Sequence, residues 1–353
     1  MQQYCISSFL DANILQNSII PCMCDAYTLP NIHKQKMWKF GTNEALRQSV
    51  RNNSKQFCDP SKCNFSRMET IESLSSQIIQ NELGKERCDA IVNYFQNNDE
   101  YLYSPMRLNL NYAKDCNMLC PTCRRDKSFF KHEHPLQKNG RFLEIVSLYG
   151  NDILDLWFNG GEPLFDKHSL SLLRSDLTKY FPNLKTLSIF TNGSLLNEKI
   201  YSSIYNRDLL HTIKMTIPGI YNDSFHRVHG SGKAAKEGMI YASKLRADNK
   251  IKYLEGNFIY QTSNFKTLPD SIKECDNLGF DKLNIVYIYP WYDDPILEKR
   301  CYLETHPQYQ EHCEIINNLK KYKMKVAFEI HPKCYSTNGR LTELTSTSNS
   351  LVL

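Results

Sequence analysis

Three cysteines, Cys116, Cys120 and Cys123, stand in the run LNLNYAKDCNMLCPTCRRD with the spacing C-x3-C-x2-C. They follow an apolar, strand-like stretch and open a polar loop. A structural zinc site takes four protein ligands, so three thiolates on one short loop suit a cubane iron–sulfur cluster with one iron left open to a further ligand. Zinc is the competing reading, because Cys120 and Cys123 followed by His132 and His134 also form a metal-ligand pattern, although one that leaves Cys116 without a role. Further along, ILDLWFNGGEPLF carries a β-rich run at 153–158 into Asn159, Gly160, Gly161, Glu162 and Pro163. Adjacent glycines let a backbone approach a ligand closely, and Glu162 offers a carboxylate to an ammonium group. A third strand-like run, KTLSIFTNGSLLN, breaks at Thr191, Asn192 and Gly193.

The elements that must position these groups alternate. After the Cys loop, PLQKNGRFLEIVSLYG sets Leu136, Phe142, Ile145, Val146 and Tyr149 at helical spacing ahead of the next strand. The pattern predicts strands near 106–112, 153–158, 185–190, 211–216, 253–261 and 283–289. It predicts helices near 138–149, 167–180, 195–206, 233–247, 267–277 and 304–321, with one further edge strand in KMKVAFEIHP. Six βα units with buried-looking strands predict an α/β fold whose parallel sheet closes into a partial (β/α)6 barrel. In such a barrel the chemistry gathers beyond the C-terminal ends of the strands, which is where the Cys loop, GGEP and TNG all fall.

In this order and at these distances the three motifs resemble the radical S-adenosylmethionine (SAM) superfamily, over roughly residues 105–290. The resemblance implies that Cys116, Cys120 and Cys123 bind a [4Fe–4S] cluster whose fourth iron is chelated by the amino and carboxylate groups of SAM. It implies that Gly160, Gly161 and Glu162 contact the methionine amino group, with Thr191 and Asn192 near the nucleoside. Thr122 stands where many members carry an aromatic residue against the adenine. The segment MTIPGIYNDSFHRVHGSGKAAKEGM also resembles the family, which makes Thr216, His226, Arg227 and His229 rim candidates; each taken alone reads more simply as a solvated loop residue. Asn257, inside the fifth strand LEGNFIYQT, needs a hydrogen-bonding partner if it faces inward, and a SAM contact is one such partner. The chemistry implied is one-electron reduction of SAM to methionine and a 5′-deoxyadenosyl radical that abstracts hydrogen, with a donor such as flavodoxin or ferredoxin.

Residues 1–66 contain Cys5, Cys22, Cys24, Cys58 and Cys63 but few long apolar runs, so a small unit there needs a staple. The stretch resembles the auxiliary-cluster domain called SPASM, in which an Arg- and Ser-containing helix precedes a Phe-Cys pair, here Phe57 and Cys58. In this chain it would precede the barrel, whereas many members carry it at the C-terminus, and the set of cysteines is partial. On that resemblance Cys22, Cys24, Cys58 and Cys63 hold an auxiliary [4Fe–4S] cluster; zinc on the same thiolates, or free cysteines, are the alternatives. The expected organisation is a Cys-rich domain at 1–66, a two-helix connector at 67–100 with Cys88 as a core thiol, the barrel at 101–335 and a mobile tail at 336–353. Cys301, Cys313 and Cys334 are too widely separated to predict a cluster.

Composition limits the function classes. A net charge of +5, with basic residues scattered, gives nucleic-acid binding little support. No apolar stretch reaches the roughly 20 residues of a membrane helix, the N-terminus lacks a signal-peptide pattern, and thiol-rich motifs fit a reducing cytoplasm. An auxiliary cluster opposite SAM would accept an electron, which favours oxidative modification of a peptide by crosslink, thioether or dehydrogenation. A dehydrogenase or epimerase acting on a sugar or other small metabolite is the first alternative, and a non-enzymatic zinc-binding interaction protein the second. No side chain is marked out as a catalytic acid or base.

Overall fold

The computed structural model describes residues 2–15, 18–21, 44–54, 67–113, 115–118, 120, 141–217, 232–287, 301–302, 304–319, 321–328 and 351–352. The chain divides into two compact units. The first comprises Met1–Tyr112, Glu133–Trp157 and Thr178–Lys185, and the second Ala113–His132, Phe158–Leu177 and Thr186–Leu353.

The first unit holds strands β1 (Tyr4–Cys5), β2 (Asp11–Leu15), β3 (Ser18–Pro21), β4 (Met68–Glu69) and most of β5 (Arg107–Ala113). Its helices are α1 (Ser7–Leu10), α2 (Glu44–Arg51), α3 (Ile71–Leu74), α4 (Gln77–Leu83), α5 (Lys85–Asn97) and α6 (Arg141–Tyr149). β1 pairs antiparallel with β4, and β2 pairs antiparallel with β3 and parallel with β5. Phe9 is the centre of an aromatic cluster, in edge contact with Tyr94, Phe95 and Tyr101. The fully buried Arg47 fastens α2 to it: its guanidinium lies over the Phe9 and Tyr101 rings and donates to the Ser8 and Tyr101 carbonyls.

Here the structure departs from the expected organisation. Residues 11–15 do not belong to a self-contained Cys-rich unit but extend the sheet beside β5, the first expected barrel strand. The apolar groups of ANILQNSII are split between two short strands, so the sequence shows no long run to announce them. The helix expected ahead of Phe57 is present as α2, and the connector at 67–100 forms three helices rather than two. Cys88 is the buried core thiol expected there, and burial raises its pKa. Cys22, Cys24, Cys58 and Cys63 lie outside the described residues.

β6 (Asp155–Gly160) carries residues of both units. The second unit continues with β7 (Thr186–Thr191), β8 (Leu210–Ile217), β9 (Tyr253–Tyr260), β10 (Lys282–Tyr287), β11 (Lys325–Phe328) and β12 (Leu351–Val352). Between them run α7 (Lys167–Leu173), α8 (Glu198–Ser203), α9 (Gly232–Ala247), α10 (Leu268–Asn277) and α11 (Tyr309–Asn317). From β7 to β11 every neighbouring pair is parallel and follows chain order, which is the α/β architecture of a partial barrel. In β9 the residues Leu254, Gly256, Phe258 and Tyr260 are buried while Glu255, Asn257 and Ile259 are half-buried, so one face packs against α9 and α10. Leu351 and Val352 pair antiparallel with β11, where a loose tail was expected. Among the described residues no helix is long and apolar enough to cross a membrane.

Candidate functional site

Three turns that follow strands meet in the second unit. β6 ends on Gly160 at φ +115°, a conformation that favours glycine, and the Gly160 N–H donates to Asn159 Oδ1 at 2.8 Å. The turn then delivers Asp166 to the start of α7, where its Oδ1 accepts from Ser169 N (2.8 Å) and His168 N (3.1 Å) as an N-cap. The other Asp166 oxygen accepts the Asp115 N–H at 3.4 Å, and the Asp115 carbonyl accepts the Glu162 N–H at 2.9 Å. The residue just before Cys116 is thereby held at both its backbone groups by the GGEP turn.

Glu162 completes the interlock. Its side chain is fully buried, and three donors converge on the carboxylate: Thr191 Oγ1 at 2.8 Å, Leu164 N at 3.0 Å and Asn192 N at 2.7 Å. A buried carboxylate is stable only with such partners. The sequence offers this carboxylate to an ammonium group; in the structure both oxygens are engaged with the GGEP and TNG turns. Asn192 in turn reaches the Cys loop. Its Nδ2 donates to Asn117 Oδ1 at 2.9 Å and to Cys116 Sγ at 3.7 Å, while Asn117 Nδ2 donates to Ser194 Oγ at 2.8 Å.

The TNG turn is tight for a steric reason. Gly193 sits at φ +80°, and a Cβ on it would lie 2.2 Å from Met215 Cε. A Cβ on Gly238 of α9 would lie 1.9 Å from the Gly193 carbonyl oxygen, so the helix backbone rests directly on the turn.

Cys116 and Cys120 are half-buried thiols, a soft donor pair on a clamped loop that fits an iron–sulfur cluster. The third member of the triplet, Cys123, lies outside the described residues, as do Thr122, His132, His134, His226, Arg227 and His229. Among the described residues no three His, Cys, Asp or Glu side chains form a metal-holding group. Gly160 and Gly161 are exposed and half-exposed beside the buried Glu162. Thr216 and Asn257 are register neighbours on β8 and β9, and Asn257 faces Asn284 of β10, whose Nδ2 donates to Asn257 Oδ1 at 3.1 Å. These three form one polar row across β8, β9 and β10.

Asp115, Asn117, Asp166, Ser194, Gly238 and Asn284 were missed by sequence reasoning. Three had a signal: Asp166 precedes a helical pattern as an N-cap, Gly238 interrupts one, and Asn284 lies in an apolar strand as Asn257 does. The others take their roles from partners distant in sequence.

A family model described as a 4Fe-4S single cluster domain matches residues 106–239, which include all three turns. A probable GTP 3′,8-cyclase of Methanocaldococcus jannaschii is 24% identical over 182 residues, 49% of this chain and 55% of that protein. A PqqA peptide cyclase of Bradyrhizobium diazoefficiens is 24% identical over 191 residues, 53% of this chain and 48% of that protein. The chain thus spans about half the length of the curated relatives it matches. Among solved structures, Streptococcus suis SuiB bound to S-adenosylmethionine superposes with a TM-score of 0.50 at 14% identity, over 78% of this chain and 62% of that one, a likeness of fold.

Proposed function

We propose that this chain, which belongs to the radical SAM enzymes, cleaves SAM reductively and modifies its substrate oxidatively, a peptide being the leading substrate class. The observation that carries the reading is the interlock: the Cys loop, GGEP and TNG are joined by hydrogen bonds from Glu162 N–H to the Asp115 carbonyl, from Asn192 N–H to the Glu162 carboxylate and from Asn192 Nδ2 to Cys116 Sγ. Cys116, Cys120 and Cys123 would hold a [4Fe–4S] cluster. Such a cluster would supply the one electron that cleaves SAM to methionine and a 5′-deoxyadenosyl radical able to abstract hydrogen from the substrate.

The chain's own residues do the positioning. Asp115, Glu162 and Asp166 fix the backbone ahead of Cys116, and Gly160 and Gly161 offer backbone to the SAM amino group. Thr191, Asn192, Thr216 and Asn257 are the remaining candidate contacts to SAM. Cys22, Cys24, Cys58 and Cys63 are proposed to hold an auxiliary [4Fe–4S] cluster that accepts the electron an oxidative outcome releases. A low-potential protein of the flavodoxin or ferredoxin type would supply the first electron, in the reducing cytoplasm that the thiol content favours.

The relative named a PqqA peptide cyclase supports a peptide substrate. The relative named a probable GTP 3′,8-cyclase supports the second reading, a small metabolite. Anaerobically reconstituted protein, given dithionite and SAM, is expected to form 5′-deoxyadenosine and methionine in equal amounts. A protein that carries iron and sulfide yet forms no 5′-deoxyadenosine contradicts the proposal. Deuterium passing into 5′-deoxyadenosine from a labelled peptide, or from a labelled nucleotide or sugar, separates the two substrate classes.

A further inference from the structure

The hydrogen bonds around Asn192 settle which way its amide points. Asn192 Oδ1 lies 2.9 Å from the Ser194 backbone N–H, which can only donate, so the atom facing Ser194 is the oxygen. The –NH2 group therefore faces Asn117 Oδ1 at 2.9 Å and Cys116 Sγ at 3.7 Å. The ring closes consistently: Asn117 Nδ2 donates to Ser194 Oγ at 2.8 Å, and that hydroxyl donates to Asn192 Oδ1 at 2.7 Å. Glu162 Oε2 holds the Asn192 backbone N–H at 2.7 Å, so the donor is carried on a fixed main chain.

From this geometry we infer that Asn192 sets the reduction potential of the cluster through its N–H···S hydrogen bond to Cys116, as a positioning and tuning residue rather than a catalytic one. The inference rests on the reading of Cys116 as a cluster ligand. One-electron reduction, by dithionite or a low-potential protein, adds one negative charge that spreads onto the ligating sulfurs. A donor aimed at one of those sulfurs stabilises the reduced form more than the oxidised form and raises the potential. No bond is formed or broken in that step.

The test is an EPR-monitored redox titration of anaerobically reconstituted protein, with iron content measured on each sample. Asn192→Ala removes the donor. Asn192→Asp keeps the acceptor for Ser194 but turns a carboxylate oxygen toward the sulfur. Both are expected to lower the midpoint, Asn192→Ala by about tenfold in the reduction equilibrium, which is 59 mV for a one-electron couple, and Asn192→Asp by more. Ser194→Ala keeps the backbone N–H on Asn192 Oδ1 but removes the hydroxyl, one of the two donors that hold the amide oxygen, so a smaller fall in the same direction is expected. Should the Asn192 variants fail to load iron, Ser194→Ala decides: a lower midpoint supports the inference and an unchanged one overturns it. Equal midpoints in iron-loaded wild type and Asn192→Ala also overturn it. A wild-type chain that binds no cluster overturns instead the reading of Cys116 on which the inference stands.

Discussion

Glu162 has no exposed surface, and its two oxygens accept from Thr191, Leu164 and Asn192. A carboxylate used this way holds the apo chain together before any ligand arrives. Glu162→Gln places an –NH2 group against N–H or O–H donors, leaving at least one of them unsatisfied. The expected cost is about 1–3 kcal/mol, read as a lower urea midpoint of the metal-free protein. An unchanged midpoint would mean that the carboxylate serves only a ligand. The residues of GGEP and TNG were legible in the sequence, but the bond between them was not, because Glu162 meets Thr191 and Asn192 across separations of 29 and 30 residues.

The elements were far more legible than the contacts. The strands expected near 185–190, 211–216 and 253–261 are β7, β8 and β9, because each is bounded by its own turn residues and buried on at least one face. β2 and β3 were not seen, since two short strands separated by Gln16 and Asn17 leave no sustained period to detect. The packing of α9 on the TNG turn was equally hidden. Alanine at position 238 gains about 1 kcal/mol of helix propensity over glycine, yet its Cβ would sit 1.9 Å from the Gly193 carbonyl oxygen, a backbone atom that cannot swing aside. The overlap outweighs the propensity, and Gly238→Ala is expected to destabilise the protein by about 1–3 kcal/mol, measured by urea denaturation. A variant at least as stable as the wild type would show that α9 does not rest on the turn.

Across the whole molecule, the described cysteines fall into two groups. Cys5, Cys88, Cys275 and Cys301 are buried, and burial raises the pKa of each thiol, that of Cys301 to about 12. Such thiols stay protonated and serve the core. Cys116, Cys120 and Cys313 are half-buried, and of these only Cys116 and Cys120 share a loop. The sequence marked that loop by its spacing, and the cluster proposed for it rests on fold and motif together. The most direct test is iron and sulfide content after anaerobic reconstitution, comparing the native chain with a Cys116/Cys120/Cys123→Ala variant whose folding is checked by circular dichroism. A [4Fe–4S] cluster brings about four irons, so the folded variant should hold about four fewer than the native chain, whether the native total is about four or about eight. A folded variant that keeps all the iron of the native chain would contradict the assignment of the Cys loop as the cluster site.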